Sequence, residues 1–246
     1  MKKITLGVLG GLGPAASARF YSLVTSFTKA ECDQDHIDII LHSAASTPDR
    51  TAFITGKSRE NPLTAMQNSV LTLSRMGADV IAIPCNTAEY FFADLQKITA
   101  VPIIRTAFEA AKFAAYLGSN KLGIMATEGT VLAGIYQNAC TELGLDFEIL
   151  SERGQQTLNK IIYQSLKKSL PSPHFSFSSV ADELYFKGCD AIVLGCTELS
   201  LIEQKEEYEK YNFIDSLAIL AAKCVKLCKH ELSNSANSYI KKKNQE

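Results

Sequence analysis

Two cysteines stand where an apolar run gives way to polar residues, and the runs that carry them repeat one another. Met76-Gly77-Ala78-Asp79-Val80-Ile81-Ala82-Ile83-Pro84-Cys85-Asn86-Thr87 aligns with Lys187-Gly188-Cys189-Asp190-Ala191-Ile192-Val193-Leu194-Gly195-Cys196-Thr197-Glu198 at one constant offset, which carries Cys85 onto Cys196. A cysteine buried among apolar neighbours is a small hydrophobe, and Cys32, Cys140, Cys189, Cys224 and Cys228 take that reading. A cysteine at a strand end, beside backbone amides or a helix N-terminus, has its pKa lowered from about 8.5 and acts as a base or nucleophile. Cys85 and Cys196 take the second reading, and their symmetry makes chance a poor explanation for the pair.

The elements around them follow the same duplication. Each copy reads as a helix end, a Gly turn, an Asp and a continuous apolar strand, the pattern of a strand buried on both faces. The openings of the halves correspond too: Leu6-Gly7-Val8-Leu9 precedes a glycine-rich turn, and Leu122-Gly123-Ile124-Met125 precedes Ala126-Thr127-Glu128-Gly129-Thr130. Amphipathic stretches at Ala15 to Thr28, Pro62 to Met76, Leu132 to Leu143 and Gln155 to Leu166 alternate with strands near Asp38–Leu41 and Phe147–Leu150. This predicts an α/β protein of two similar doubly wound parallel-sheet domains, 1–101 and 102–210, related by a pseudo-twofold. A C-terminal helix within 211–233 returns to the first domain, and 234–246 forms a flexible tail. Ligands of such sheets bind beyond the carboxyl ends of the strands. The symmetry therefore brings both cysteines to an interdomain cleft, where two thiols can face one carbon.

Bulk properties limit the partner. The 246 residues are 46% hydrophobic and 21% charged with a net charge of −1, ordinary for a soluble globular protein and lacking the basic excess of a nucleic-acid binder. No apolar run approaches the roughly 20 residues that span a bilayer. Seven cysteines without a CxxC pair, and four histidines, fit reduced thiols in the cytoplasm better than a disulfide framework or a structural zinc site. The N-terminus has the lysines, apolar run and small residues of a secretory leader, but Ile4–Leu9 ending in glycines reads as the first strand. Gly11-Leu12-Gly13-Pro14-Ala15-Ala16 has a G-x-G-x-x-A spacing. The acid expected for a dinucleotide ribose is missing from the end of the second strand, Leu41-His42-Ser43, and Glu31 falls too early. A tight turn with amides facing the cleft is the better reading.

Pro84-Cys85-Asn86-Thr87-Ala88 and Gly195-Cys196-Thr197-Glu198 resemble the paired signatures of the aspartate/glutamate racemase family, and the resemblance covers nearly the whole chain. Gly10-Gly11-Leu12-Gly13-Pro14, Thr47-Pro48-Asp49-Arg50-Thr51, Ala126-Thr127-Glu128-Gly129-Thr130 and Ile162-Tyr163 followed by Lys167 support it. Glu198 after Cys-Thr resembles the aspartate-racemase branch, where glutamate racemases carry His.

The resemblance implies a homodimeric isomerase with no pyridoxal phosphate, no other cofactor and no metal, acting on a small acidic amino acid. Cys85 and Cys196 would be its thiolate/thiol pair, because inverting a stereocentre by proton exchange needs a base on one face and an acid on the other. Asn86, Thr87 and Thr197 would hold the α-carboxylate, with Ala88, Thr127, Thr130 and Glu198 also at the substrate. Arg50 and Lys167 would anchor the side-chain carboxylate, with Lys168 as a substitute for Lys167. Glu89 stands where the family commonly has His, either facing Cys85 and opposing its thiolate or capping a helix start. Glutamate or a broader substrate range is the nearest alternative. Further alternatives are a hydantoin racemase, against which Arg50 and Lys167 speak, a maleate isomerase, and a non-catalytic binding protein.

Overall fold

The computed structural model describes residues 3–168, 174–202 and 206–241. Its first half holds β1 (Leu6–Gly10), α1 (Pro14–Phe27), β2 (Ile39–Ser43), α2 (Arg50–Ile54), α3 (Leu63–Arg75), β3 (Val80–Ala82), α4 (Phe92–Gln96) and α5 (Thr106–Tyr116). The second half holds β4 (Lys121–Ala126), α6 (Glu128–Leu132), α7 (Ile135–Leu143), β5 (Asp146–Ile149), α8 (Glu152–Lys160), α9 (His174–Phe186), β6 (Ala191–Gly195), β7 (Phe213–Asp215), α10 (Ser216–Leu227) and α11 (Asn234–Lys241).

The apolar runs become the inner strands. β1 and β6 are buried at every position, and β2 and β5, whose sequences mix polar and apolar residues, lie at the edges. One sheet runs β2-β1-β3 and the other β5-β4-β6-β7, all pairs parallel. A parallel bridge from Ile81 to Ile103 extends the first sheet where β7 extends the second, so both follow one plan. The fold is α/β with two parallel-sheet domains.

The halves exchange their last helices. α5 follows the Ile103 bridge yet packs its alanines among Leu122, Ile124 and Cys140 of the second half. α10 follows β7 yet joins Leu6, Phe20 and Val24 of the first. Each sheet is thus covered in part by a helix belonging in sequence to the other. Among the described residues, no helix is long and apolar enough to cross a membrane.

Three local expectations change. The stretch Leu132 to Leu143 is not one helix: Gly134 adopts a left-handed conformation between α6 and α7, and each helix keeps its own N-terminus. The helix expected to continue to Leu166 does so through a π turn at Ile161–Ser165 and a 3-10 turn at Leu166–Lys168. The third concerns the tail: Asn234–Lys241 forms α11. Ala236 and Tyr239, three residues apart on one face, dock on the first half. Ala236 is fully buried, the Tyr239 ring lies 5.8 Å from that of Phe27, and its hydroxyl donates to Asp215 Oδ2 at 2.9 Å. The lysines that made the tail look solvated cluster at its end, where 242–246 lie outside the described residues.

Asp215 caps α10 by accepting from the Leu217 and Ala218 amides, so Tyr239 supports that cap. Tyr239→Phe is expected to lower unfolding stability by about 1 kcal/mol in chemical denaturation, the value of one partly exposed hydrogen bond to a carboxylate. Loss of Tyr21, an exposed tyrosine on α1, should be neutral by comparison.

Candidate active site

Both cysteines occupy the same place in their domains. The chain leaves β3 through Ile83-Pro84 and β6 directly, and each cysteine keeps an extended backbone before a 3-10 turn, Asn86–Phe91 or Thr197–Leu201. The turns close alike: the Ala88 amide donates to the Cys85 carbonyl at 3.1 Å and the Leu199 amide to the Cys196 carbonyl at 2.9 Å. Two residues before each cysteine, a hydroxyl from the first residue of an exchanged helix fixes the strand end. Thr106 of α5 donates to the Ile83 carbonyl at 3.1 Å, and Ser216 of α10 to the Leu194 carbonyl at 2.7 Å. The two ends are also tied together, because Asn86 Nδ2 donates to Ser216 Oγ at 2.9 Å and Tyr136 OH donates to Asn86 Oδ1 at 2.7 Å.

Cys85 and Cys196 line one narrow cavity between the domains. Of the residues expected at the site, Arg50, Asn86, Thr87, Thr127, Lys167, Thr197 and Glu198 also line it. Ala88 and Thr130 do not; they stand behind it. Thr130 Oγ1 is 2.8 Å from Thr87 Oγ1 and 2.9 Å from Thr127 Oγ1, and with Thr51 the three form a buried hydroxyl cluster across the domain boundary. Lys167 rather than Lys168 lines the cavity. Leu12, Asp49 and Thr51 line it as well. Asp49 and Thr51 flank Arg50 in the sequence, which was the available signal; Ser216 and Tyr136 had none.

The glycine-rich turn shapes the first-domain wall. Gly11 has φ +84°, and a Cβ there would strike the Ala44 backbone, so the turn folds back and presents Leu12 to the cavity. The Leu12 carbonyl accepts from Arg50 Nη2 at 2.5 Å, while Nη1 donates to the Thr47 and Pro48 carbonyls. The guanidinium is thus buried and oriented by backbone, with Nε left without a partner.

Cys196 Sγ donates to Glu198 Oε2 at 3.1 Å. Burial pushes the Cys196 thiol well above its ordinary range, and the Glu198 carboxylate pushes it further. This corrects the expectation that its strand-end position lowers the pKa: Cys196 holds its proton. Lys167 lies at the rim, its ammonium 4.6 Å from the centre of the Tyr163 ring. Enclosure of that ammonium opposes its charge, but the Glu198 carboxylate more than offsets this and holds its pKa above the ordinary lysine value. Among the described residues, no group of three or more His, Cys, Asp or Glu is placed to hold a metal ion.

Glu89 caps a helix start, but that of α5 rather than of its own turn; it does not line the cavity between the domains, though with Cys85 it borders a second pocket. Its carboxylate accepts from the Ala107 amide at 2.7 Å, capping α5, and from Arg105 Nε at 3.3 Å. Arg105 in turn reaches Glu142 on α7. Burial raises the Glu89 carboxyl to about 7 despite these donors.

Residues 9–224 match the Asp/Glu/Hydantoin racemase family, and the chain belongs to it. It is 25% identical over 228 residues to the broad specificity amino-acid racemase RacX of Bacillus subtilis, covering 89% of this chain and 96% of that one. The aspartate racemase of Picrophilus torridus superposes with a TM-score of 0.82 at 26% identity, covering 96% of this chain and 99% of that one. An aspartate racemase homologue from Pyrococcus horikoshii shares the fold, with a TM-score of 0.74 at 23% identity over 94% of this chain and 100% of that one.

The position of Glu89 fixes the sign of its pH effect. Its folded pKa lies above the unfolded one, so the folded state binds the extra proton and this stabilisation is lost as pH rises through about 7. The stability of wild type relative to Glu89→Gln is therefore expected to decline between about pH 5 and pH 8, by at most about 3 kcal/mol, in thermal or urea unfolding. A rising difference would mean that Arg105 governs the carboxyl instead.

Proposed function

We propose that this chain is a cofactor-independent amino-acid racemase that interconverts L- and D-aspartate by exchanging the α-proton between Cys85 and Cys196. The observation that carries the reading is that both thiols line one small cavity together with Arg50 and Lys167. Two cations suit the two carboxylates of an acidic amino acid.

In this reading Cys85, as thiolate, takes the α-hydrogen and becomes a thiol, leaving its electron pair on the α-carbon and the adjoining carboxylate. Cys196, which starts protonated, gives its proton to the opposite face and becomes the thiolate. The reverse direction exchanges the roles. Asn86 keeps one amide N–H beyond the bond to Ser216, and with the Thr87 and Thr197 hydroxyls it would steady the charge that develops on the α-carboxylate. Its ties to Tyr136 and Ser216 supply the rigidity such a donor needs. Arg50 and Lys167 would take the side-chain carboxylate. The likeness to RacX supports a second reading, a broader range of amino acids that includes glutamate.

The test is incubation with L-aspartate, L-glutamate and neutral amino acids in D2O without pyridoxal phosphate, followed by chiral analysis and α-deuterium measurement. Loss of optical purity with one α-deuterium per inversion is expected for aspartate, and full retention of both would sink the proposal. Cys85→Ala and Cys196→Ala should each reduce racemisation to background, since each removes the acid or base from one face. Cys140→Ala, in the fully buried core of the second half, should leave turnover essentially intact.

Replacing Arg50 or Lys167 with Met should lower kcat/KM for aspartate by about a hundredfold or more, the cost of leaving a buried carboxylate without its countercharge. Any neutral amino acid turned over should lose far less. Equal losses on both would refute the carboxylate role.

A further inference from the structure

α7 contributes a side chain that touches both cysteine-bearing arms without lining the cavity. The left-handed turn at Gly134 restarts the helix so that Tyr136 falls in its first turn, and the side chain is fully buried. Its hydroxyl donates to Oδ1 of Asn86, the neighbour of Cys85, at 2.7 Å. Its ring meets the other arm: a Cβ at position 195 would lie 2.7 Å from Tyr136 Cε2, closer than real Cβ contacts come. The bare backbone of Gly195 is therefore what lets the ring rest against the residue before Cys196.

Counting hydrogens fixes the direction of every bond around Asn86. A serine hydroxyl has one hydrogen to donate, and Ser216 gives it to the Leu194 carbonyl at 2.7 Å. Toward Asn86, 2.9 Å away, Ser216 can only accept. The amide must therefore turn Nδ2 to Ser216 and Oδ1 to Tyr136, whose phenol must donate. Burial keeps that phenol protonated by pushing its pKa well above the ordinary tyrosine value. Reversing the amide would leave buried groups unpaired on both sides, which is costly. An asparagine held at one end could offer the cavity its oxygen or its nitrogen; held at both, it keeps the second Nδ2 hydrogen as an uncommitted donor.

We infer that Tyr136 is a positioning residue for the racemisation, acting through Asn86 by fixing which end of that amide serves the cavity, and through Gly195 by seating the strand end that carries Cys196. This rests on the racemase reading of the same cavity. A carboxylate at the reacting centre gains negative charge as the α-proton leaves, so an N–H aimed at it stabilises the transition state, whereas an amide oxygen in that place would repel it. The Tyr136 hydroxyl is therefore worth more in the transition state than in the bound substrate, and its loss falls on kcat rather than on KM.

The test is a double-mutant cycle of Tyr136→Phe and Asn86→Ala, read by α-proton exchange of L-aspartate in D2O and by the side-chain amide signals in NMR spectra. Tyr136→Phe keeps the ring against Gly195 and removes only the hydroxyl. It is expected to lower kcat at least about tenfold with KM within about twofold of wild type, and Asn86→Ala should lower kcat at least as much. The double variant should be no slower than Asn86→Ala alone, because a residue that acts through another adds nothing once that other is gone. Losses that multiply would overturn the inference, as would wild-type kcat in Tyr136→Phe. The Asn86 side-chain amide, identified by its absence from Asn86→Ala, should exchange its hydrogens slowly in wild type and at least about tenfold faster in Tyr136→Phe. Fast exchange in wild type overturns the inference even if the variant does not fold, and so does an unchanged rate in a folded variant. Wild type that leaves the α-hydrogen of aspartate unexchanged rejects the racemase, while the amide signal still decides whether Tyr136 orients Asn86.

Discussion

The two thiols arise from different sheets, and everything else in the site depends on holding their strand ends in one fixed relation. A short hydrogen-bonded chain does this: Tyr136 of α7 to Asn86, Asn86 to Ser216, and Ser216 to the Leu194 carbonyl two residues before Cys196. Asn86 adjoins Cys85, so the chain joins one cysteine's neighbour to the other cysteine's strand. All three side chains are buried, where such bonds are stronger and each broken one is more costly. The exchange of α5 and α10 between the halves makes the arrangement possible, because Ser216 and its counterpart Thr106 reach the strand ends from the helices that cross over.

Around that frame the protein concentrates charge in a small volume. Arg50 is clamped by three backbone carbonyls, Lys167 closes the rim, and Glu198 lies between the Cys196 thiol and Gly13. A buried array of this kind is costly to hold, since each ion has lost water. Within it Cys196 holds its proton under the influence of burial and Glu198.

Glu89 shows how far a local departure can act from the place it seemed to point to. Its position follows Cys85 by four residues, yet the 3-10 turn aims its carboxylate at the α5 N-terminus and Arg105. Arg105 stacks against Phe92 and Phe108 and bridges to Glu142. The substitution therefore belongs to the joint between the halves rather than to the cavity.

The sequence by itself determined the architecture and pointed to most of the residues that line the cavity. Continuous apolar runs can only be inner strands of covered parallel sheets, and an internal repeat with a cysteine at each copy's strand end requires two equivalent sites. Arg50 and Lys167 were legible through the motifs around them. Tertiary structure alone decided the rest, because it depends on side chains brought together from far apart. Thr130 and Ala88 were drawn back from the cavity, and Ser216 and Tyr136 entered through contacts no spacing encodes. Glu198, two residues after Cys196, shows its second oxygen to be unsatisfied only once Gly13 is packed against it. The C-terminal segment illustrates the same limit: its lysines suggested a solvated tail, but Ala236 and Tyr239 form a face whose receptor, Phe27 and Asp215, exists only in the folded chain. Periodicity and residue type report what a segment will bury; which groups it meets there depends on contacts between residues distant in sequence.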